Sequence, residues 1–182
     1  QIDLVATTTP LVFLPPIPVF QSSFQTLPSL ADVVDIVEPW VASIAVKSTI
    51  RGFFFDVEDD GDGSGFVVRS DGYIVTNYHV VDGADEIKVH LPNSEIYDAR
   101  VVGRDPLTDL AVVKIDAKNL PTATLAVSQD LRVGDWVMTM GNALALKGGP
   151  TVTLGIVSAM GRTITTERGI FYDMIQTDAA IN

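Results

Sequence analysis

From Val41 onward, short runs of apolar and β-branched residues follow one another along the chain, and turn signals bound each run. Such runs, with apolar and polar residues alternating over a few positions, are typical of half-buried strands, whereas helices need longer segments with a 3.6-residue period. No helix-length periodic segment separates these runs, which argues against a parallel α/β sheet. The pattern predicts an all-β chain built as a barrel or a sandwich.

The predicted strands form two sets. The first contains about six strands, and one of its turns is a Ser-Asp-Gly sequence in which Gly72 can adopt a positive φ. A loop rich in Pro, Thr and Ser leads to a second set of about three strands, which would leave two open edges. We therefore expect a helix and a complete first barrel in residues 29–121. Residues 122–182 are expected to hold a linker and an incomplete second barrel that ends in mid-domain.

The N-terminal part of the chain differs in composition from the rest. Residues 1–28 hold five of the ten prolines and a single charged residue, and they are predicted to form an extended segment that can lie against a partner surface. Ser29 and Asp32 then form a capping-box pattern at the start of an apolar helical face. Pro39 is expected to end this short helix.

Charge and composition exclude several kinds of site. The chain has 12 basic and 23 acidic residues, a net charge of −11, so it has little means of displacing counterions from nucleic-acid phosphates. Because there is no cysteine, disulfides, zinc–thiolate sites and a cysteine nucleophile are impossible. The longest apolar stretch, Leu11 to Phe20, carries three prolines and is shorter than the roughly 18 residues of a membrane span. No cofactor is predicted.

One of the two histidines, His79, stands directly after a strand-like run in the sequence TNYHVV. Thirty residues downstream, Asp109 leads into the apolar strand Leu110 to Ile115. A carboxylate at the mouth of a buried strand is costly unless a partner compensates it, and an imidazole at the end of another strand could be that partner. In a catalytic pair the aspartate would fix the tautomer of the histidine. Spacing alone leaves a purely structural Asp–His pair open.

Three other motifs are assigned no catalytic or metal-binding role. Ser64, in GDGSGF, does not match G-x-S-x-G and precedes the histidine, so it is predicted only to ease the chain into the next strand. The acidic run from Asp56 to Asp60 resembles the start of a calcium loop, but Val67 stands where a bidentate glutamate is needed. That run is predicted to be a solvated surface loop. His90 stands alone on an alternating strand.

Several ordered motifs resemble the HtrA/Deg family of trypsin-like serine proteases: GSGFVVRSDGYIVTNYHVVDGADEIKV, VVGRDPLTDLAVVKID, LRVGDWVMTMGN, GIVSAMGR and IQTDAAIN. The resemblance extends from about Leu27 to the last residue. It implies a chymotrypsin-like double β-barrel, with the first barrel complete and the second truncated, preceded by a short N-terminal helix. It also implies that His79 is the general base and Asp109 its orienting partner, facing the cleft between the barrels.

The resemblance also sets an expectation for the nucleophile. In the family, a Gly-rich turn with the nucleophilic serine and the oxyanion-hole amides follows QTDAAIN within a few residues, and this chain stops at Asn182. We therefore expect a serine endopeptidase that degrades misfolded or unfolded proteins, present here as a fragment that is inactive alone. The alternative is a catalytically dead relative that binds peptides by strand addition. The retained His79 and Asp109 favour the peptidase.

Regulation, assembly and location follow from the resemblance alone. The segment Ser158 to Asp173 resembles the family's sensor loop, and Arg162 matches an arginine that relays activating signals to a loop resembling Gly141 to Thr151 of a neighbouring subunit. An exposed surface arginine is the alternative. The family forms trimers through its N-terminal segment, so a homotrimer or higher oligomer is expected. Implied partners are unfolded polypeptides and the remaining C-terminal part of the protease domain, and the implied location is extracytoplasmic, in the periplasm or cell envelope.

Overall fold

The computed structural model describes residues 28–51, 56–142, 149–167 and 169–181. Its first element is helix α1, Leu30–Val37, where the Ser29 hydroxyl accepts a hydrogen bond from the Asp32 N–H at 3.5 Å. A short 3-10 turn, Glu38–Trp40, contains Pro39 and ends the helix. The predicted capped helix is therefore confirmed. The N-terminal segment predicted to mediate trimerisation lies outside the described residues.

Six antiparallel strands follow and close into a barrel in the order β1-β2-β3-β6-β5-β4. The complete first barrel predicted from the sequence is confirmed. The strands are β1 (Val41–Arg51), β2 (Asp56–Arg69), β3 (Tyr73–Asn77), β4 (Glu86–His90), β5 (Ile96–Asp105) and β6 (Leu110–Ile115).

Alternation along the strands builds the core of this barrel. Every second residue of β3, β4 and β6 points inward. Together with β1 and β2, these strands contribute side chains with no exposed surface: Ile44, Val67, Ile74, Val89, Val113 and Ile115. Burying each such aliphatic side chain stabilises the fold by about 1.5–3 kcal/mol. The predicted turn after β2 is also present, and Gly72 adopts a φ of 98° there.

The acidic run before Ser64 is part of strand β2, so the prediction of a solvated loop is wrong. Asp59 and Asp60 are exposed but pair in register with Ser48 and Lys47 of β1. The sequence conceals this strand because glycines occupy its inward positions instead of β-branched residues. A β-carbon at Gly63 would overlap the neighbouring Val80 side chain, so a small residue is required at that point of the barrel wall.

The second set of strands forms a three-stranded sheet in the order β7-β8-β9, made of β7 (Trp136–Gly141), β8 (Thr151–Thr166) and β9 (Gly169–Thr177). The segment Ser158 to Asp173, which resembles the family's sensor loop, lies almost entirely in the β8–β9 hairpin. Register shifts interrupt that hairpin between Val157 and Ile164, and Gly161 has a φ of 65°. Bulges of this kind bend a strand and increase its twist locally. Neither helix in the described part of the chain has the length and apolar character needed to cross a bilayer.

Candidate active site

The one-turn helix α2 (Tyr78–Val81) directly follows β3 and carries His79. Val81, at the end of this turn, is buried against the barrel core. At its start, the Tyr78 hydroxyl donates to the Asp82 carboxylate at 2.6 Å, and this hydrogen bond raises the pKa of Tyr78. The contacts at both ends fix the turn, so the His79 ring projects from an anchored element.

Asp109 reaches the same place from the neighbouring strand. Strands β3 and β6 are antiparallel, with Asn77 opposite Leu110, so the residue before β6 lies beside the residues that follow β3. The Asp109 carbonyl accepts hydrogen bonds from the Tyr78 N–H at 2.9 Å and from the Asn77 side chain at 3.2 Å. Asp109 has a φ of 57°, a conformation that Asp tolerates better than most residues. The topology thus joins two residues thirty positions apart.

The His79 and Asp109 side chains form a direct hydrogen bond, with Nδ1 of the histidine 2.7 Å from Oδ2 of the aspartate. The other carboxylate oxygen, Oδ1, accepts from the His79 backbone N–H at 3.0 Å, and Oδ2 is also 3.4 Å from the Asn77 amide nitrogen. The contact expected from the sequence is therefore present. Asn77 was not among the residues predicted for the site, although its place two residues before His79 makes it the side chain at the end of β3.

Hydrogen-bond chemistry fixes the tautomer of this pair. The backbone N–H and the Asn77 amide can only donate, so the Asp109 carboxylate acts as the acceptor and Nδ1 of His79 carries the proton. In a neutral ring the lone pair then lies on Nε2. The Asp109 side chain is 16% exposed and the His79 side chain 39% exposed, so the aspartate is covered while the ring stays open to solvent. This arrangement can accept a proton at Nε2 and stabilise the resulting imidazolium.

A cavity of about 480 Å³ lies on the Asp109 side of the pair, between the first barrel and the β8–β9 hairpin. Its lining combines two carboxylates with apolar and hydroxyl side chains: Asn77, Thr108, Asp109, Ile164, Thr166, Glu167, Phe171 and Met174. A lining that combines apolar side chains with several polar groups can accommodate part of a peptide or another ligand. Within the part of the chain that the structure describes, no cluster of three His, Cys, Asp or Glu side chains could hold a metal ion.

Ser64 makes contacts that its sequence context did not indicate. Its hydroxyl accepts a hydrogen bond from the Asn142 N–H at 2.7 Å, and its carbonyl accepts one from the Thr76 hydroxyl at 2.8 Å. Ser64 therefore links the first barrel to the segment that follows β7. The flanking glycines do not indicate this contact, because a β-carbon at Gly63 or Gly65 would meet the Val80 or Ile74 side chain of the barrel.

The remaining predicted residues are placed as follows. Asp105 accepts hydrogen bonds from the Leu107 N–H at 3.0 Å and the Thr108 hydroxyl at 2.9 Å, both within the turn that follows it. Arg162 is exposed on β8, and its Nε donates to the Gln176 side chain of β9 at 3.0 Å. His90 ends β4, opposite Ser43 and Ile96. Most of the loop proposed to receive a signal from Arg162 lies outside the described residues.

The sequence profile of a family described as "Trypsin-like peptidase domain" matches residues 63–182. A "Probable periplasmic serine endoprotease DegP-like" from Chlamydia muridarum (strain MoPn / Nigg) is 51% identical over 120 residues, which cover 66% of this chain and 24% of that protein. The "Putative serine protease HhoB" of Synechocystis sp. (strain ATCC 27184 / PCC 6803 / Kazusa) is 45% identical over 130 residues, covering 70% of this chain and 30% of that protein. The chain thus spans less than a third of the length of either relative.

Two solved structures extend the similarity to the fold. "HtrA-type protease AlgW with decapeptide" superposes with a TM-score of 0.72 at 37% identity, covering 85% of this chain and 53% of that one. "HtrA-type protease AlgW with tripeptide" gives a TM-score of 0.73 at 42% identity, covering 85% and 48%. Since the profile covers more than half of the chain and the relatives agree, the chain belongs to the trypsin-like peptidase family and is of the HtrA/DegP type.

Proposed function

We propose that this chain is the N-terminal part of the protease domain of an HtrA/Deg serine endopeptidase, with His79 as general base and Asp109 as its orienting partner. The observation that supports the proposal most strongly is the 2.7 Å contact between His79 Nδ1 and Asp109 Oδ2. In the proposed enzyme, residues 29–121 hold the helix and the first barrel. Residues 122–182 are a linker and part of the second barrel.

The proposed chemistry uses both nitrogen atoms of the His79 ring. Nε2 accepts the proton of a serine hydroxyl as the serine oxygen attacks a peptide carbonyl, and the resulting imidazolium later protonates the leaving amine. Asp109 holds the ring in the required tautomer and stabilises the imidazolium. In this proposal the nucleophile lies outside these 182 residues. Ser64, the serine with the most glycine-rich surroundings, precedes His79 in the chain, and its hydroxyl accepts a hydrogen bond from the Asn142 N–H. The chain therefore supplies the base and its orienting carboxylate but forms no acyl-enzyme alone.

The relatives suggest the class of substrate and the location. The AlgW structures hold a decapeptide and a tripeptide, and the DegP-like relatives are named as periplasmic. By extension, the substrates of this enzyme are unfolded or misfolded polypeptides, and it acts outside the cytoplasm, in the periplasm or cell envelope. It assembles as a homotrimer or a higher oligomer and is completed by the C-terminal part of the protease domain.

The second candidate is a binding protein without catalysis. Strand β9 is an edge of the three-stranded sheet and carries exposed apolar side chains, including Ile170, Tyr172 and Ile175. An exposed, apolar sheet edge is suited to strand addition by an extended peptide. The retained Asp–His geometry has no use in such a protein, and for this reason we favour the peptidase.

A comparison of two proteins tests the proposal. The first is the 182-residue chain, and the second is a chimera in which the chain continues into the rest of the protease domain of a DegP-like relative. We expect the chain alone to give no turnover of casein or a fluorogenic peptide above buffer, because it lacks the attacking oxygen. The chimera is expected to cleave both. Cleavage by the 182-residue chain that requires His79 would show that one of its own serines is the nucleophile. An inactive chimera that binds peptide would favour the binding protein.

Arg162 is proposed to transmit an activating signal to a neighbouring subunit. Its exposed position, with a single hydrogen bond to Gln176 across the hairpin, leaves the guanidinium available to a partner. In the chimera, Arg162→Ala is expected to lower turnover several-fold while the circular dichroism spectrum and melting temperature stay unchanged. The matched control is Arg100→Ala, which removes an exposed arginine from β5 of the first barrel. Equal turnover in the two variants at all substrate concentrations would show that Arg162 is an exposed surface arginine without a role in activation.

A further inference from the structure

Two threonine hydroxyls meet at the carbonyl oxygen of Ala180, close to the end of the described chain. Thr139 of β7 and Thr153 of β8 lie directly opposite each other in the antiparallel register. Their Oγ1 atoms are 2.6 Å apart, and the Ala180 oxygen is 2.6 Å from Thr153 Oγ1 and 3.1 Å from Thr139 Oγ1. We refer to Thr139 and Thr153 as the hydroxyl pair.

The residues before Ala180 are hydrogen-bonded to β8 and to the end of β9. The Asp178 carboxylate accepts a hydrogen bond from the Ile156 N–H of β8 at 2.8 Å, and the Ala179 N–H donates to the Thr177 hydroxyl at 3.0 Å. Ala179 is buried, and a β-carbon at Gly155 would overlap its backbone. The segment 178–180 therefore lies directly on the β7–β8 ribbon and has little freedom to shift.

The number of hydroxyl protons indicates which threonine donates a hydrogen bond to the Ala180 carbonyl oxygen. The pair has two protons but makes three short oxygen–oxygen contacts, so one contact carries no proton. The two contacts of 2.6 Å lie within the usual range for O–H···O hydrogen bonds, and the contact of 3.1 Å lies just outside it. Thr139 accordingly donates to Thr153, and Thr153 donates to Ala180. Thr153 is the direct donor and Thr139 acts through it.

We propose that the hydroxyl pair is a positioning device for catalysis, which fixes the chain at Ala180 and, with it, the nucleophile-bearing turn that the proposed function places a few residues further on. This inference rests on the proposed function. Over so short a connection, a displacement at Ala180 is passed on to the reacting oxygen. A misplacement of about 1 Å costs on the order of 100-fold in rate. Thr139 and Thr153 touch neither substrate nor His79 in this role.

The contact itself can be measured on the 182-residue chain. The ¹³C carbonyl chemical shift of Ala180 responds directly to a hydrogen bond at its oxygen. We expect Thr153→Val to move this resonance clearly, Thr139→Val to move it less, and Thr153→Ser to leave it near its original position. Thr165→Val, which replaces an exposed threonine further along β8, is the matched control and should have no effect. An unmoved Ala180 resonance in Thr153→Val would overturn the inference.

The positioning role is then measured on the chimera described above, at a temperature where every variant is fully folded by circular dichroism. Thr153→Val is expected to lower kcat about 10- to 100-fold with KM little changed. It should slow inactivation by diisopropyl fluorophosphate, which reports on the activated serine without a bound peptide, by a similar factor. Thr153→Ser should restore both rates. A purely structural role would lower the melting temperature but leave both rates unchanged, and that result would overturn the proposal.

The two levels of the hypothesis fail in different ways. If the unsubstituted chimera neither cleaves peptides nor reacts with the fluorophosphate, the proposed function is wrong, and the positioning role falls with it. If the chimera is active but Thr153→Val changes neither peptide hydrolysis nor inactivation by the fluorophosphate, only the inference about the hydroxyl pair is wrong.

Discussion

In the chimera with a complete protease domain, His79→Ala is expected to lower kcat by about 10⁴-fold or more, with KM little changed. The alanine removes the group proposed to accept the serine proton, and the exposed ring is not part of the barrel core. The loss should therefore be kinetic, and the free energy of unfolding should change little. Peptide hydrolysis under single-turnover conditions measures the effect without contributions from product release.

Asp109→Asn is expected to cause a loss of about 10⁴-fold in the same assay. The asparagine keeps the size of the side chain. Its amide nitrogen, however, can donate where the carboxylate only accepts, so the ring is free to adopt the tautomer with its proton on Nε2. In that tautomer His79 cannot act as a base towards the serine.

Two matched controls are available: Asp105, four residues before Asp109, and His90, at the end of β4. Asp105→Asn changes a carboxylate that only shapes its own turn, and His90→Ala removes the second histidine, which ends β4. Both are expected to retain kcat within about 2-fold. An Asp109→Asn variant with activity equal to that of Asp105→Asn would show that the 2.7 Å contact is structural, an alternative that residue spacing alone left open.

The strands were predictable wherever short apolar runs are bounded by turn signals. Ile74 and Val113 lie in such runs, and both runs form strands in which every second residue is buried. The acidic run in β2 was missed because its strand character depends on pairing with β1, a contact between distant residues. Glycine has low strand propensity, and only the crowding at Gly63 explains its presence there.

The candidate site was predictable to a different extent for each residue. His79 and Asp109 carry distinctive chemistry, and they stand at strand ends that antiparallel pairing joins. The roles of Ser64, Thr139 and Thr153 could not be predicted, because hydroxyl residues are common and these three act through backbone atoms of remote segments. Local sequence carries no record of a partner that lies 27 residues away, as Ala180 does from Thr153.

The stability of the first barrel depends on the turn between β2 and β3. Gly72 donates its N–H to the Arg69 carbonyl at 3.0 Å, and its carbonyl accepts from the Ile115 N–H at 3.0 Å, so the turn is joined to the end of β6. Its φ of 98° disfavours any residue with a β-carbon, and a β-carbon there would also overlap the carbonyl oxygen of Ile115. The overlap is with backbone, which cannot rotate away as a side chain can.

Gly72→Ala is therefore expected to lower the free energy of unfolding by roughly 3 kcal/mol or more, since backbone strain and a steric overlap act together. Gly83→Ala provides the control, because Gly83 also has a positive φ, 72°, but no atom lies within 4 Å of the added β-carbon. This variant should lose only the cost of the conformation, about 1–2 kcal/mol. Urea unfolding of the 182-residue chain, followed by tryptophan fluorescence, measures both values. If the two variants lose equal stability, the turn does not pack against Ile115, and the closure of the barrel at this point would have to be revised.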